Sequence, residues 1–300
     1  MPRVIECPDQ GTCDVDACVA ALTAEGFRPN DEDSLQHAAL WLRRLGNNRT
    51  FLGDLILDRL RNRHREEEDL SNYGPQVIML SRPAGDFFVR ANIWPSADEH
   101  AYRASGRDAF VYGLAHDHNF DFLTVGYFGP GYWSDYYTYD YEALDGWRGE
   151  TANLCFAERS ALSEGKLLHY RAHLDVHRQW PPDSLSVSLN VMHMGAGQGW
   201  LDQYLFDVER DVVTGIAGGG SSEAFLRIAV GLGSAEAHDL AERFGRLHPS
   251  DRMRLAAWEA RASVAGDVAA RDALWREAEL AGSRMVAMEA KRRRVELADI

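Results

Sequence analysis

Three hundred residues, 45% of them hydrophobic, suffice for one large domain or for a core domain with appendages. The 46 acidic against 32 basic residues leave a net charge of −14, a surface that repels phosphate backbones and anionic bilayers, so neither nucleic acid nor membrane is expected as a partner. Cys7, Cys13, Cys18 and Cys155 lack CxxC spacing and are too scattered for a disulfide framework. With no signal-like apolar run in "MPRVIECPDQ", reduced thiols in a soluble, cytoplasmic protein are expected.

Residues 1–75 read as an N-terminal helical segment. "DVDACVAALTAEGF" opens on an Asp that can cap, followed by Val15, Cys18, Val19 and Leu22 at helical spacing. "DEDSLQHAALWLRRLG" puts Leu35, Ala38, Ala39, Leu42 and Leu45 on one face and stops at Gly46. "NRTFLGDLILDRLRNR" continues with Leu52, Leu55, Ile56 and Leu60. The charged "RNRHREEEDLSN" reads as a solvated helix end and loop.

From 76 to 217 the texture changes to short segments rich in aromatic and β-branched residues, punctuated by Gly, Pro, Asn and Asp. They include "QVIMLSRP", "DFFVRANIWP", "AFVYGLAH", "FDFLTVGYFG", "SDYYTYDYE", "ANLCFAERSAL", "GKLLHYRAH" and "SLSVSLNVMHM". The pattern predicts a β-sandwich or barrel and argues against a doubly wound α/β sheet. "AGGGSSEAF" marks a boundary, and residues 218–300 read as a C-terminal helical region rich in Ala, Arg, Glu and Leu. There Leu274, Ala278, Ala281, Met285, Met288 and Val295 form a narrow apolar stripe that packs on its own chain, pairs with a second subunit as a homodimer through the helical regions, or begins a repeat. The basic run Lys291–Arg294 is expected at a helix end, complementing the dipole.

Within the β region, "GLAHDHNFDF" presents His116 and His118 two residues apart, so on a strand both imidazoles share a face. Two unpartnered imidazoles in a dry interior are costly, and a metal ion would partner both. A third ligand must come from a neighbouring strand, and "HLDVHRQW" offers His173 and His177.

The HxH pair, the long gap and then a His shortly before "SLSVSLNV" resemble the cupin superfamily, and within it the three-histidine thiol dioxygenases similar to cysteine dioxygenase. The resemblance spans about Val77 to Met194. It implies a mainly β fold with helical flanks, a cupin-type double-stranded β-helix (jelly-roll) barrel. It also implies one divalent metal, Fe(II) first and Ni, Zn or Cu as alternatives, held by His116, His118 and His177, with His173 able to replace His177. Arg90 in "FFVRANIW" matches the family's arginine for a substrate carboxylate. The implied reaction is oxygenation of a small carboxylate- or amino-acid-like molecule with O2, by a non-heme metal-dependent dioxygenase; the alternatives are a metal-cupin isomerase, lyase or hydrolase, or a ligand-binding protein. The chain departs from the family where Asp121 stands after the HxH pair and where Ser188, Asn190 and Met192 replace a Ser-His-Tyr relay. Asp121 is then a catalytic group, a fourth ligand, a partner that orients a histidine, or a loop capper. Alternation puts Tyr137 and Tyr139 on one face with Asp135 and Tyr141, a candidate aromatic wall for the substrate.

Overall fold

The computed structural model describes residues 1–62, 76–218 and 220–298. The expected solvated segment at 61–72 falls, from residue 63 onward, outside the described residues, as does the middle glycine of the expected boundary. The chain forms two compact units, residues 1–139 with 154–198, and residues 140–153 with 199–300. The expected boundaries at 75/76 and 217/218 do not coincide with these units: the N-terminal helices share the barrel's unit.

In the first unit, strand β1 (Arg3–Val4) precedes helices α1 (Val15–Glu25), α2 (Glu32–Asn47) and α3 (Phe51–Asn62). Asp14 caps α1 by accepting from the Ala17 amide, and Gly26, at φ +73°, ends it. Asp31 caps α2, whose face of Leu35, Ala38, Ala39, Leu42 and Leu45 is buried. Strands β2 (Val77–Met79) and β3 (Phe87–Trp94) follow, then the short α4 (His100–Ser105), β4 (Ala115–His116), β5 (Phe122–Phe128), β6 (Trp133–Thr138), β7 (Cys155–Ala161), β8 (Leu167–Tyr170), β9 (Asp175–Trp180) and β10 (Ser186–His193). Most of "AFVYGLAH", expected as a strand, is a 3-10 turn and loop; only its last two residues pair in β4.

One sheet has the order β1-β8-β5-β10-β3-β2; in the other, β4-β9-β6-β7 run side by side, and the named strands of this unit pair antiparallel. Strands β3 to β10 thus divide into two four-strand sets, β8-β5-β10-β3 and β4-β9-β6-β7, and the chain crosses between them at every connection except the β6–β7 hairpin, which is jelly-roll connectivity. The expected double-stranded β-helix is present.

The first sheet is buried on both faces. Val89 and Ala91 of β3, Leu123 and Val125 of β5, and Leu189 and Val191 of β10 join α1 and α2 in one core. The intervening residues, among them Trp94, Phe122 and Met192, join Tyr132, Tyr136 and Tyr170 in a second core inside the barrel. Strand alternation therefore sorts every residue of β3, β5 and β10 into helix-facing or barrel-facing.

The second unit contains the hairpin β11 (Gln203–Asp207) and β12 (Val212–Ala217), then α5 (Ser221–Gly231), α6 (Ala235–Leu247), α7 (Asp251–Ser263), α8 (Val268–Glu279) and α9 (Arg284–Ala298). Ser234, Ser250 and Asp267 cap α6, α7 and α8 through the amide three residues on. The apolar stripe expected over 274–295 is not one helix. It breaks at Gly282 (φ +80°) between α8 and α9; Ala278 and Met285 pack with Trp258 and Trp275, while Val295 is exposed. The basic run lies in mid-helix, with Arg292 paired to Glu289 and Glu296, Arg293 to Glu259, and Arg294 to Asp272 and Glu279. Neighbouring carboxylates, not a helix end, account for it. No helix among the described residues is long and apolar enough to cross a membrane.

Candidate metal centre

His116 on β4 stands directly opposite His177 on β9, and His177 stands directly opposite Tyr136 on β6. Directly paired residues of antiparallel strands point to the same face, so these three side chains share one wall of the barrel. His118, two residues past His116, returns to that face as the chain leaves β4.

The His177 Nε2 lies 3.1 Å from the His116 Nε2 and 3.1 Å from the His118 Nε2. The donor nitrogens of the three rings fall within 4.8 Å of one another. His173 does not join them: its backbone amide donates to the His118 carbonyl at 2.8 Å and its ring lies 3.8 Å from Asp117. It pins the loop that carries His118, and His177 is the residue brought to the pair.

His116 Nδ1 lies 2.9 Å from the Leu114 carbonyl, a contact that requires the proton on Nδ1 and leaves Nε2 as a bare lone pair. Burial lowers the pKa of all three rings, and at His118 the neighbouring His116, His177 and Arg90 lower it further. Three neutral rings then meet at their Nε2 atoms, where one proton on His177 can serve only one of its two contacts. A divalent cation would accept all three lone pairs at once, and the 3.1 Å separations of the His177 Nε2 from the other two are short enough for neighbouring rings to share one ion. The residues fit a metal ion.

The centre opens on a cavity of about 280 Å³ whose walls include Arg90 and Asn92 of β3, Asn190 of β10, Gln179 of β9, Trp94 and Tyr132. Arg90 lies on a barrel-facing position of β3, close enough to lower the His118 pKa. Tyr132 follows Gly131, whose φ of +84° turns the chain into β6. Its hydroxyl bonds Tyr170 and Gln179, Tyr170 in turn contacts the Tyr136 hydroxyl at 3.0 Å, and burial pushes the Tyr132 phenol well above its usual pKa.

Three residues expected at the site lie elsewhere. Asp121 precedes β5 on the helix-facing parity of Leu123 and Val125, and its carboxylate contacts His169 Nε2 at 3.1 Å. Tyr137 has the opposite parity from Tyr136 and packs edge-on against Phe156 at 5.4 Å. Tyr139 donates to Asp117 Oδ2 at 2.6 Å, behind the ligand-bearing segment. Neither tyrosine lines the cavity. Of the aromatic run from Tyr127 to Tyr141, expected to line the pocket, it is Tyr132 that reaches the cavity. Asn92 and Asn190 were not foreseen; polar side chains two apart (Arg90 with Asn92, Ser188 with Asn190) in otherwise apolar strands were the signal available for them.

No protein-family model matches the sequence, and no curated protein matches it. Among solved structures, the chain is similar over part of its length to a cupin domain from Bordetella pertussis (12% identity, 42% of this chain and 100% of that one, TM-score 0.24). It is similar to a cupin protein from Bacteroides fragilis (12% identity, 44% of this chain and 85% of that one, TM-score 0.25). It is also similar to a DMSP lyase from Ruegeria pomeroyi (11% identity, 44% of this chain and 52% of that one, TM-score 0.24).

Proposed function

We propose that this chain is a metal-dependent oxygenase acting on a small carboxylate-bearing or amino-acid-like molecule, with Fe(II) as the first choice of metal. The observation that carries the reading is the meeting of three neutral Nε2 atoms in a cavity that also exposes one guanidinium, Arg90. His116, His118 and His177 would hold the ion. Three protein ligands leave coordination positions open, and iron bound there supplies a place for substrate and O2 to meet and a source of electrons for oxygen.

The chain's own groups do the rest. Arg90 offers a planar fork that holds a carboxylate through two parallel hydrogen bonds. Trp94 and Phe122 line the cavity with apolar surface and limit the water that reaches the centre. The His116 Nδ1 bond to Leu114 keeps that ring's Nε2 turned toward the ion.

A second reading has support of its own in Tyr132. A buried phenol in the cavity wall, kept protonated and linked through Tyr170 to Tyr136, can give a proton to a reacting group. With the metal as a Lewis acid, that arrangement suits a lyase, isomerase or hydrolase.

Elemental analysis of protein purified without added metal tests the common premise. Wild type and Asp121→Asn are expected to carry stoichiometric metal, and His118→Ala and His177→Ala to lose it. A metal-free wild type removes both readings and leaves a ligand-binding barrel. Oxygen uptake that depends on iron and on a small acid supports the first reading. Turnover with zinc and without O2 supports the second.

A further inference from the structure

Two buried amides in the cavity wall are accounted for neither by the three histidines nor by Arg90. Asn92 is 7% exposed and Asn190 is 3% exposed. The Asn92 Oδ1 and the Asn190 Nδ2 have no hydrogen-bond partner among the described residues. Buried polar atoms in folded proteins are nearly always paired, and two left open side by side in a cavity wall call for a partner from within that cavity.

The register places them. Asn190 of β10 stands directly opposite Arg90 of β3, and Asn92 stands opposite Ser188, diagonally next to Asn190. All lie on the barrel-facing parity, since Val89, Ala91, Leu189 and Val191 face the helices. Ser188 is already occupied, accepting from the Trp94 indole at 3.0 Å. The wall therefore carries a guanidinium, an amide on the residue directly across from it, their Cβ atoms about 5 Å apart, and a second amide one step along the strand. One amide offers a donor and the other an acceptor; exchanging oxygen and nitrogen in both swaps these roles without removing either. A hydroxyl or a carboxamide, each able to donate and accept, satisfies the pair in both assignments, whereas a methyl group satisfies neither.

We infer that Asn92 and Asn190 form a polar subsite for a hydroxyl or carboxamide group carried a few atoms from the carboxylate on Arg90. The substrate class is then a small hydroxylated or amide-bearing carboxylate rather than an alkyl acid. This rests on the proposed carboxylate contact of Arg90, and the cavity, at the small end of ligand pockets, limits the molecule's size.

The test is calorimetric titration of the metal-loaded protein with β-hydroxybutyrate and with isovalerate, which carries a methyl in place of the hydroxyl. Wild type is expected to bind β-hydroxybutyrate at least about tenfold tighter, because the apolar analogue leaves buried amides unpaired. Asn190→Leu and Asn92→Leu, which keep the branching of the native side chain while removing its polar atoms, should bring the two acids to within about threefold. Asn190→Ser and Asn92→Ala serve if a leucine variant fails to fold, and metal content with a thermal melt reports folding. Equal binding by wild type, or a preference that survives in variants at both positions, overturns the subsite. Arg90→Met separates the two proposals. Loss of both acids in that variant upholds the carboxylate contact. Unchanged binding there, or no binding of either acid by wild type, overturns that contact and the subsite with it.

Discussion

The bond from the His116 Nδ1–H to the Leu114 carbonyl at 2.9 Å is a single-residue event with consequences for the whole centre. It selects the tautomer whose Nε2 is a lone pair, and burial keeps the other two rings neutral beside it. The sign of the resulting pH dependence follows from proton counts. Each ring has a folded pKa below the ordinary histidine value of 6.5, so below that pH the unfolded chain binds protons that the folded chain refuses. Metal-free protein is therefore expected to hold its full stability above about pH 6.5 and to lose it as pH falls below that value. Urea melts of wild type and His177→Gln across pH 5 to 8 measure this; a slope no shallower in the variant than in wild type counts against it. At this scale the HxH pair was legible, because two residues apart on an extended segment always share a side. Asp121 was not: the loop between His118 and β5 breaks the alternation count, and the carboxylate emerges on the helix side beside His169.

At the scale of the element, the first sheet works because its strands are two-faced. The same eight residues of β3 place Val89 and Ala91 under the helices and Arg90, Asn92 and Trp94 in the barrel. Close approach is built in at Gly126 of β5, where an added Cβ would meet the Ser163 carbonyl oxygen at 2.1 Å and the Leu162 oxygen at 2.8 Å. Both contacts are backbone, and the Gly126 amide donates to the Lys166 carbonyl at 3.1 Å, so neither chain can give way cheaply. Gly126→Ala is expected to destabilise the protein by about 1–3 kcal/mol, read as a lower denaturation midpoint. A midpoint equal to that of wild type would show that the crossing chain yields. Helix spacing and capping were legible from the residues, since α1 and α2 begin on Asp14 and Asp31 as their patterns require. The face of β6 was not. Alternation grouped Tyr137 apart from Tyr136 correctly, but only the pairing of Tyr136 with His177 shows which group looks inward.

For the molecule as a whole, metal binding and folding are linked. An ion that binds the assembled centre and not the unfolded chain stabilises by RT ln(1 + [L]/Kd), about 2.7 kcal/mol at a hundredfold excess over Kd. In a cooperative unit the size of the first one that corresponds to roughly 5–10 °C in Tm. Chelator-treated protein is expected to melt lower by that order, with recovery on adding back the metal, and His118→Ala should show neither change. Because the three ligands all lie in the first compact unit, a resolved two-step melt should show the shift in one step alone.

The sequence by itself determined the local periods: which segments are helical, which are extended, that His116 and His118 point the same way, and that the surface is acidic. Those properties depend on neighbours a few residues apart and on charge counts. The tertiary structure decided what depends on distant segments meeting: His177, separated by 61 residues from His116, arrives at 3.1 Å because β9 pairs with β4. It likewise turned Arg90, Asn92 and Asn190 into the cavity and Asp121, Tyr137 and Tyr139 away from it. A period of two says which residues of a strand belong together. Only the packing of one sheet against helices and of the other around a cavity says which set is inside.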